Sequence, residues 1–204
     1  MPRALSETEV SDFRDRMCVA ASRIFAEKGL SGFTMRELAA AVGVSPMTPY
    51  RYFKDKEEIL ATVRARAFDK FSETLEAAYD AQPKATDGAS AIAAASAVAD
   101  AYIRFALDDP DSYRLMFDTK HGDASLYPEL ARAGDRARAT LTRHVGPLIA
   151  TGMTHGNPIL IGHVYWSLIH GAVMLTLSGS TDYDLDGILN EGFRALGIGF
   201  ATPR

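Results

Sequence analysis

Side chains able to contact DNA are concentrated in one short stretch of the chain, Phe33–Phe53, with Lys56 just beyond it. Arg51 could donate a pair of hydrogen bonds to a guanine edge, and hydroxyl groups together with Lys56 could bind phosphates. Met47 or Pro49 could touch a thymine methyl group. The residues that we expect to contact duplex DNA are Thr34, Met35, Arg36, Ser45, Pro46, Met47, Thr48, Tyr50, Arg51, Tyr52 and Lys56.

A capping box and a glycine position the first part of this stretch. Thr34 is followed three residues later by Glu37, so the threonine oxygen can accept an amide while the glutamate reaches back to the amide of the cap. A helix should therefore begin at Met35. Gly43 can adopt the left-handed conformation that ends a helix without a Cβ penalty. The pattern predicts a helix of about two turns between these two signals.

A second helix start follows immediately. Ser45 can serve as an N-cap, and Pro46 occupies the first helical position, where its missing N–H is not needed. A short helix is therefore expected from Pro46 to Phe53. Two short helices joined by a turn that contains glycine form a helix-turn-helix, whose second helix enters the major groove of DNA.

The stretch from Ile24 to Leu60 has a glycine after helix one, Thr34 before Arg36-Glu37-Leu38-Ala39, a Gly43-Val44-Ser45 turn, and then Tyr50, Tyr52-Phe53 and Lys56. With these features it resembles the DNA-binding domain of the TetR (TetR/AcrR-like) family of transcriptional regulators. The resemblance implies an N-terminal three-helix DNA-binding domain followed by a helical domain for ligand binding and dimerisation. In one position the sequence departs from the family, since Pro49 stands where an aliphatic residue is usual and removes an early backbone hydrogen bond of the second helix.

The balance of charges does not exclude a DNA partner. The chain has 22 Lys and Arg against 26 Asp and Glu, a net charge of -4. Residues 1–60 hold nine basic and nine acidic side chains, so the whole deficit lies beyond residue 60. An acidic chain usually argues against nucleic-acid binding, but Arg36, Arg51, Lys54 and Lys56 place basic charge within or beside the motif.

Cysteine content and hydropathy indicate a cytoplasmic protein. Cys18 is the only cysteine, which excludes an intrachain disulfide and fits a reducing compartment. The N-terminal residues lack the apolar core of a signal peptide, so we expect no export. The segment Ile159–Leu177 is nearly long enough to span a membrane, but it contains two histidines and a serine, which favours a buried helix and no membrane partner.

Helical periodicity extends along the chain and predicts an all-α protein of about nine helices. Residues 1–55 should form the helix-turn-helix DNA-binding domain, and residues 56–204 the C-terminal domain for ligand binding and dimerisation. Beyond the motif, the expected elements are helices at 7–28, 56–80, 89–107, 110–117, 128–149 with a kink at Pro147, 158–179 and 184–197, and a loop at 118–127.

The last two helices are too apolar to be covered easily within one chain of this size, which favours a partner chain. The resemblance has the same implication, because in TetR-like regulators the last two helices usually pair with their copies in a four-helix dimer interface. The sequence WSLIHG, Trp166–Gly171, also resembles the Trp-His-Gly signature of one C-terminal domain class in that family.

The C-terminal region has more aromatic and methionine side chains than an alanine-rich bundle requires, which is typical of an apolar cavity that binds a small molecule. Trp166 and His170, four residues apart, could line such a pocket or pack at a dimer interface, and both alternatives stay open. The candidate pocket residues are Tyr102, Phe105, Met116, Phe117, Trp166 and His170.

Patterns for catalysis and metal binding are missing from the sequence. It contains no glycine-rich phosphate loop and no nucleophile elbow. His163 and His170 lie seven residues apart without a cysteine partner or the tight spacing of a metal site. We therefore expect no catalytic residues, no metal, no cofactor and no enzymatic activity.

These features favour a cytoplasmic, homodimeric, DNA-binding transcriptional regulator that binds a palindromic operator and responds to a small-molecule effector. Repression is the expected action, and activation is an alternative with the same fold. A helical small-molecule-binding protein or enzyme without specific DNA binding is the alternative from a different class. Salt-dependent, sequence-selective affinity for DNA separates the two classes.

Overall fold

Helices and the turns between them make up the part of the protein that the computed structural model describes, residues 6–117 and 124–196. No strand occurs in these two ranges, in agreement with the predicted all-α class. Residues 118–123 of the predicted loop and Gly197 at the end of the predicted last helix lie outside the described residues. The helices are α1 (Glu7–Gly32), α2 (Met35–Ala41), α3 (Lys56–Asp80), α4 (Gly88–Asp108), α5 (Pro110–Met116), α6 (Pro128–Arg143), α7 (Val145–Ala150), α8 (Pro158–Leu177) and α9 (Leu185–Ala195), with single 3₁₀ turns at Pro49–Arg51 and Ala124–Leu126.

Side-chain caps fix the starts of several helices. Ser6 and Glu9 form a capping box at α1, with hydrogen bonds of 2.7 and 3.2 Å. Asp87 and Ser90 form another at α4, so this helix begins one residue before its predicted start. The Asn157 side chain accepts hydrogen bonds of 2.9 and 3.3 Å from the first free amides of α8, which begins where the sequence predicts.

Gly29 bends α1 near its end. Its φ of 67° lies in the left-handed region, where a residue without a Cβ has no steric penalty. The predicted end of the first helix at Lys28 is therefore a kink, and a further helical turn continues to Gly32.

The long helix predicted at 128–149 is two helices. α6 ends at Arg143 and α7 begins at Val145, so the chain breaks at His144 and not beside Pro147. Pro147 has no N–H to donate to the carbonyl of Arg143, four residues earlier, and its ring clashes with that carbonyl. The predicted position of the kink is wrong for this reason, and His144 stands at the junction.

The described residues pack as two compact units. Unit 1 comprises the chain up to Phe68 together with Arg114–Gly134, and unit 2 comprises Asp69–Tyr113 together with the chain from Asp135 onward. α3, α5 and α6 each contribute residues to both units. This division differs from the boundary predicted between residues 55 and 56, because the first turns of α3 share a core with α1 and α2.

One hydrophobic core holds α1, α2 and the start of α3 together in unit 1. Cys18 is buried in it, and burial raises the pKa of its thiol, which fits a structural cysteine. A smaller cluster joins α3 to the start of α6 through Leu130 and Ala133. The residues of the main core are Met17, Cys18, Ala21, Ile24, Phe25, Phe33, Met35, Leu38, Phe53, Ile59, Leu60 and Val63.

In unit 2, α4, α7, α8 and α9 pack against one another. Two arginines tie α6 to the second half of α3 within this unit. Arg136 lies 2.6 Å from the carboxylate of Glu76, and Arg143 lies 2.7 Å from that of Asp80. These ion pairs hold the end of α6, and with it the junction at His144.

One face of α8 is apolar and exposed within the single chain. Leu160 is 64% exposed and Val164 46%, and Leu175 continues the same stripe. By length and composition alone, Gly88–Asp108 and Pro158–Leu177 are each apolar enough to cross a membrane. Because Leu160, Val164 and Leu175 are exposed, α8 is not buried on nearly all of its faces within one chain.

Candidate functional site

Thr34 and Gly43 delimit α2. The Thr34 hydroxyl accepts a hydrogen bond from the Glu37 amide at 3.2 Å, and Gly43 has a φ of 74°. The predicted capping box is half formed, because the Glu37 carboxylate pairs with Lys28 of α1 instead of the Thr34 amide. This ion pair ties the start of α2 to the end of α1.

The predicted second helix of the motif is a single 3₁₀ turn, Pro49–Arg51. The Thr48 amide donates to the Ser45 carbonyl at 2.9 Å, and the Arg51 amide donates to the Thr48 carbonyl at 3.0 Å. These bonds reach three residues back, as in a 3₁₀ helix, and not four. Pro49 has no amide hydrogen, so an α-helical ladder is interrupted there. The short helix predicted from Pro46 to Phe53 is therefore reduced to this 3₁₀ turn.

Two side chains of this segment differ from their predicted roles. The Ser45 hydroxyl lies 2.8 Å from the Thr48 hydroxyl and does not cap a backbone amide. Pro49 is buried and cannot touch a thymine methyl group. Met47 is 68% exposed, so it keeps that candidate role.

Most of the side chains predicted to contact DNA are exposed on unit 1. Thr48 and Tyr52 are half-buried, and Tyr52 packs against Phe13 with the ring centroids 4.9 Å apart. Met35 is buried in the core, which corrects its assignment, because its side chain cannot reach DNA. The exposed members are Thr34, Arg36, Ser45, Pro46, Met47, Tyr50, Arg51 and Lys56.

The basic side chains of Arg36, Arg51, Lys54 and Lys56 are not neutralised by contacts within the described residues. None of them forms a side-chain hydrogen bond or ion pair with any residue in 6–117 or 124–196. α2, which carries Arg36, packs against the 3₁₀ turn that carries Arg51. We call these four side chains the basic surface. Exposed cations without a protein partner are the groups that bind phosphates.

Arg14 of α1 is a residue of this region that sequence reasoning missed. Its guanidinium lies 4.3 Å from the centroid of the Phe53 ring, and it donates a hydrogen bond to the Tyr52 carbonyl. Its charge also lies 3.6 Å from the Glu58 carboxylate. Arg14 therefore fixes the chain directly after the 3₁₀ turn. Helical periodicity gives no signal for it, because the residue lies beside the apolar stripe of α1 and not in it.

Four side chains of unit 2 form a hydrogen-bonded cluster. The Tyr102 hydroxyl lies 2.7 Å from the Tyr113 hydroxyl and accepts a hydrogen bond of 3.1 Å from the Trp166 indole. His170 Nδ1 lies 2.6 Å from the Tyr113 hydroxyl. The structure thus brings together Tyr102, Trp166 and His170 of the predicted pocket and adds Tyr113, which is fully buried. We call these four residues the aromatic cluster.

The aromatic cluster is a chain in which each hydroxyl both accepts and donates. Trp166 donates to Tyr102, Tyr102 can donate to Tyr113, and Tyr113 can donate to Nδ1 of His170. Burial raises the pKa of both tyrosines and lowers the pKa of His170. All four groups are therefore uncharged near neutral pH.

The other predicted pocket residues lie elsewhere. Phe105 packs edge-on against Phe71 in unit 2, with ring centroids 5.3 Å apart. Met116 and Phe117 belong to unit 1, where Met116 is buried and Phe117 packs edge-on against Phe68 at 5.9 Å. The six predicted residues therefore do not all belong to one unit, and the predicted pocket stays a prediction.

A small cavity of unit 2 shares Tyr102 and Trp166 with the aromatic cluster. Its volume is about 20 Å³, which is room for about one water molecule. Sequence reasoning missed His144 as a member, although Pro147 three residues later is the signal for a break there. We call this small cavity the His144 cavity. Its lining residues are Ala95, Val98, Ala99, Tyr102, Leu141, His144, Tyr165, Trp166, Ile169 and Phe193.

His144, which lines this cavity, has an unsatisfied polar atom. The residue is 7% exposed, and its Nδ1 is buried without a hydrogen bond to any described residue. The ring stacks on Tyr165 with centroids 6.3 Å apart and an angle of 17° between the planes. Burial lowers the pKa of His144 to about 4, so the ring is neutral at pH 7. A buried polar group without a partner costs about 1–3 kcal/mol, so a hydrogen-bonding molecule at this atom would be stabilised.

The chemistry that these walls offer is hydrogen bonding and apolar contact. Among the residues that the structure describes, no Asp, Glu, Lys or Arg side chain lines the His144 cavity. Within residues 6–117 and 124–196, no three His, Cys, Asp or Glu side chains are grouped so that they could hold a metal ion.

Two stretches of the chain match families of regulatory proteins. Residues 18–63 match the family described as bacterial regulatory proteins, tetR family. Residues 95–196, half of the chain, match the family described as tetracyclin repressor-like, C-terminal domain. The first match contains α2, the 3₁₀ turn and the basic surface, and the second contains the His144 cavity. The finer assignment of the C-terminal domain to the Trp-His-Gly class stays a prediction.

A curated relative is the transcriptional activator FasR from Mycolicibacterium smegmatis. It is 29% identical over 137 residues, which are 67% of this chain and 58% of FasR. This chain spans 37% and 58% of the lengths of two curated relatives that it matches.

Two solved structures share the fold. A protein of unknown function from Rhodococcus sp. RHA1 aligns with a TM-score of 0.77 over 97% of this chain and 98% of that chain, at 24% identity. The transcriptional regulator FadR from Bacillus subtilis, solved in complex with stearoyl-CoA, aligns with a TM-score of 0.72 over 92% and 99%, at 18% identity. Together with the two family matches, the exposed basic surface and the all-α architecture identify the chain as a member of the TetR family of DNA-binding transcriptional regulators.

Proposed function

We propose that this regulator represses transcription in the cytoplasm by binding a palindromic operator as a homodimer, and that a small-molecule effector releases it. The observation that carries the proposal is the basic surface, since exposed and unpaired cations on α2, the 3₁₀ turn and the start of α3 suit a phosphate backbone. We keep the functional division into a DNA-binding part, residues 1–55, and an effector-binding and dimerisation part, residues 56–204.

Within the DNA-binding part, Arg51 is the proposed reader of base sequence. Its exposed guanidinium follows directly after exposed Tyr50 and can donate in bidentate fashion to a guanine. Arg36 binds phosphate, as does Lys56 directly beyond this part, and Met47 supplies an apolar contact for a thymine methyl group. Thr34, Ser45, Pro46, Thr48 and Tyr52 complete the proposed set of contacts.

The homodimer is proposed to form through α8 and α9. The exposed apolar stripe of α8 carries Leu160, Val164 and Leu175, with Gly171 between them. A Cβ added at Gly171 would meet nothing within 4 Å, so a second helix can approach closely there. An apolar stripe of this length on one chain requires a covering partner.

Val164→Glu tests this interface, because it places a charge in the stripe. Light scattering coupled to size-exclusion chromatography should show a shift of this variant from dimer to monomer. Ala93→Glu, at an exposed position of α4, is the matched control and should leave the dimer intact. A dimer that tolerates Val164→Glu and persists on dilution like the wild type would place the interface away from α8.

Release by the effector is proposed as a shift between two states. The effector must bind the DNA-incompetent state more tightly, and tenfold relief of DNA binding requires about 1.4 kcal/mol of preference. Two features support an effector site in unit 2, namely the uncharged aromatic cluster and the His144 cavity. The related fold of FadR was solved with a bound acyl-CoA, which supports effector binding by a fold of this kind.

Selection of the purified protein against a randomised duplex DNA pool, at near-physiological salt, tests the proposal. An enriched inverted repeat would support operator binding by a two-fold dimer, with half-site centres about 34 Å apart or at a related spacing. Failure of an intact dimeric preparation to enrich any sequence would contradict operator binding.

Activation is the second candidate function, because the relative FasR is a transcriptional activator. A promoter that contains the selected operator, fused to a reporter gene, separates the two actions. Repression predicts higher reporter output when the regulator is deleted, and activation predicts lower output.

A further inference from the structure

We propose that the His144 cavity binds a small, uncharged, largely apolar molecule whose one hydrogen-bonding group pairs with Nδ1 of His144. The inference rests on the proposed effector response, since it names the chemical class of the effector that unit 2 takes.

The hydrogen bonds around the cavity leave His144 as the anchor for a ligand. In the aromatic cluster, Trp166, Tyr102, Tyr113 and His170 satisfy one another along one chain of hydrogen bonds. His144 lines the cavity, and its Nδ1 is buried without a partner among the described residues. Buried polar atoms in proteins are almost always hydrogen-bonded, so an unpaired one at a cavity marks the place of a missing molecule.

The walls favour an uncharged ligand over an ion of either sign. Besides Tyr102, His144, Tyr165 and Trp166, the lining is made of alanine, valine, leucine, isoleucine and phenylalanine side chains. Two charged residues of α4 come shortly after Ala99 in the chain, namely Asp100 and Arg104. Neither of them lines the cavity. His144 itself stays neutral at pH 7, so it offers no cation to a carboxylate. A ligand ion would lose its hydration without gaining a charged partner.

The size of the cavity restricts the ligand and assigns Trp166 as the part that moves. About 20 Å³ holds a water molecule and no more, so any larger ligand must displace a wall. Trp166 is half-buried, whereas His144, Tyr165 and Phe193 are buried. Its movement breaks the 3.1 Å hydrogen bond that the indole donates to the Tyr102 hydroxyl. Ligand binding therefore changes the surroundings of the indole ring.

The single tryptophan of the chain is a built-in reporter of this event, because Trp166 is the only one in the sequence. The test titrates its fluorescence in the whole 204-residue chain, without DNA, with four probes that share a phenyl ring. Phenol is uncharged with a hydroxyl, toluene is uncharged without one, benzoate is an anion and benzylammonium is a cation. N-acetyltryptophanamide is titrated in parallel to subtract direct quenching by each probe.

The expected result is a saturable response to phenol, with an affinity about tenfold higher than for toluene and with no saturable response to either ion. Equal affinities for phenol and toluene would overturn the role of Nδ1. Tighter binding of benzoate or benzylammonium would overturn the uncharged class. No saturable response to any probe would overturn the site itself.

The variant His144→Phe keeps a ring of similar size and removes the nitrogen. In this variant the affinity for phenol should fall to that for toluene, while thermal unfolding reports whether the protein is still folded. The comparison of phenol with toluene on the wild type needs no variant, so the proposal can fail even if His144→Phe does not fold.

The outcome is separable from that of the proposed function. An operator selected from the DNA pool together with absent phenol preference leaves DNA binding standing and overturns this ligand class. Phenol binding through His144 that does not change operator affinity supports the site and contradicts the effector response.

Discussion

The basic surface of unit 1 and the His144 cavity of unit 2 treat polar groups in opposite ways. Arg36, Arg51, Lys54 and Lys56 are exposed and unpaired among the described residues, where water solvates them at no cost to folding. The cavity and the aromatic cluster bury neutral polar groups, which must find partners or destabilise the fold. From this difference we expect changes at the basic surface to act on DNA binding and hardly on stability, whereas changes in unit 2 should act on both.

Replacement of a buried tyrosine and of an exposed tyrosine by alanine should show the largest difference in stability. Tyr113→Ala removes a fully buried ring and its hydrogen bonds, so the free energy of unfolding should fall by about 3–5 kcal/mol. Tyr50→Ala removes a ring that is 50% exposed and should change the free energy of unfolding by no more than about 0.5 kcal/mol. Urea unfolding followed by circular dichroism measures both. Comparable losses of stability in the two variants would contradict the proposed difference between unit 2 and the exposed surface of unit 1.

Acid pH should destabilise unit 2 through His144. Burial holds the pKa of this residue at about 4 in the folded protein, against 6.5 for the free side chain. Between these values the unfolded chain binds more protons, so the stability contributed by the neutral ring is complete above pH 6.5 and is lost as the pH falls towards 4. Between pH 7.5 and pH 5 the loss should be about 2 kcal/mol.

The variant His144→Phe separates this contribution from that of the carboxylates. Between pH 7.5 and pH 5, the free energy of unfolding should fall in both proteins. The fall in the variant should be smaller than that in the wild type by about 2 kcal/mol, the contribution of His144. Parallel pH profiles for the two proteins would show that His144 is not buried as a neutral ring.

The caps and glycines explain why so much of the fold was predictable. Thr34, Asn157 and Gly43 are local signals, because each acts on amides or on a backbone angle within a few residues. The bounds of α3, 56–80, also agree with the prediction. Proline is also a local signal, but its consequence was placed incorrectly twice. At Pro147, the hydrogen bond that is lost is the one to the carbonyl of Arg143, four residues earlier, so the helix breaks there. At Pro49, the lost hydrogen bond leaves a 3₁₀ turn, Pro49–Arg51, in place of the predicted helix.

The contents of the candidate sites were harder to predict, because they depend on tertiary packing. Arg14 and His144 have no partner nearby in the sequence that would mark them, and their roles arise from Phe53 and Tyr165, distant along the chain. Met35 has the right position for DNA contact but points into the core. Helical periodicity assigns a residue to a face and not to a partner, so a set such as Tyr102, Met116 and Phe117 can be divided between two units.

Arg51→Ala should relax base selectivity without unfolding unit 1. If Arg51 reads guanine, its removal costs about 1–3 kcal/mol of discrimination at one base position, measured by competition binding with operators mutated one position at a time. Arg51→Lys keeps the charge but loses the planar fork, so it should lose most of the same discrimination. An unchanged base preference in both variants would remove Arg51 from the readout and move that role to another exposed side chain of the turn.

Lys56→Ala should give the smallest effect, and its form matters more than its size. A phosphate contact carries no base information, so affinity should fall alike for operator and random DNA, and the slope of log affinity against log salt should decrease in magnitude by about 1. Lys70→Ala, at an exposed position of the same helix but in unit 2, is the matched control and should leave the slope unchanged. Because Lys56 is exposed and unpaired among the described residues, the free energy of unfolding should stay within about 0.5 kcal/mol of the wild type. A variant that loses operator affinity with an unaltered salt slope would mean that Lys56 acts through the structure of the α3 start, and the basic surface would then depend on packing in the way that unit 2 does.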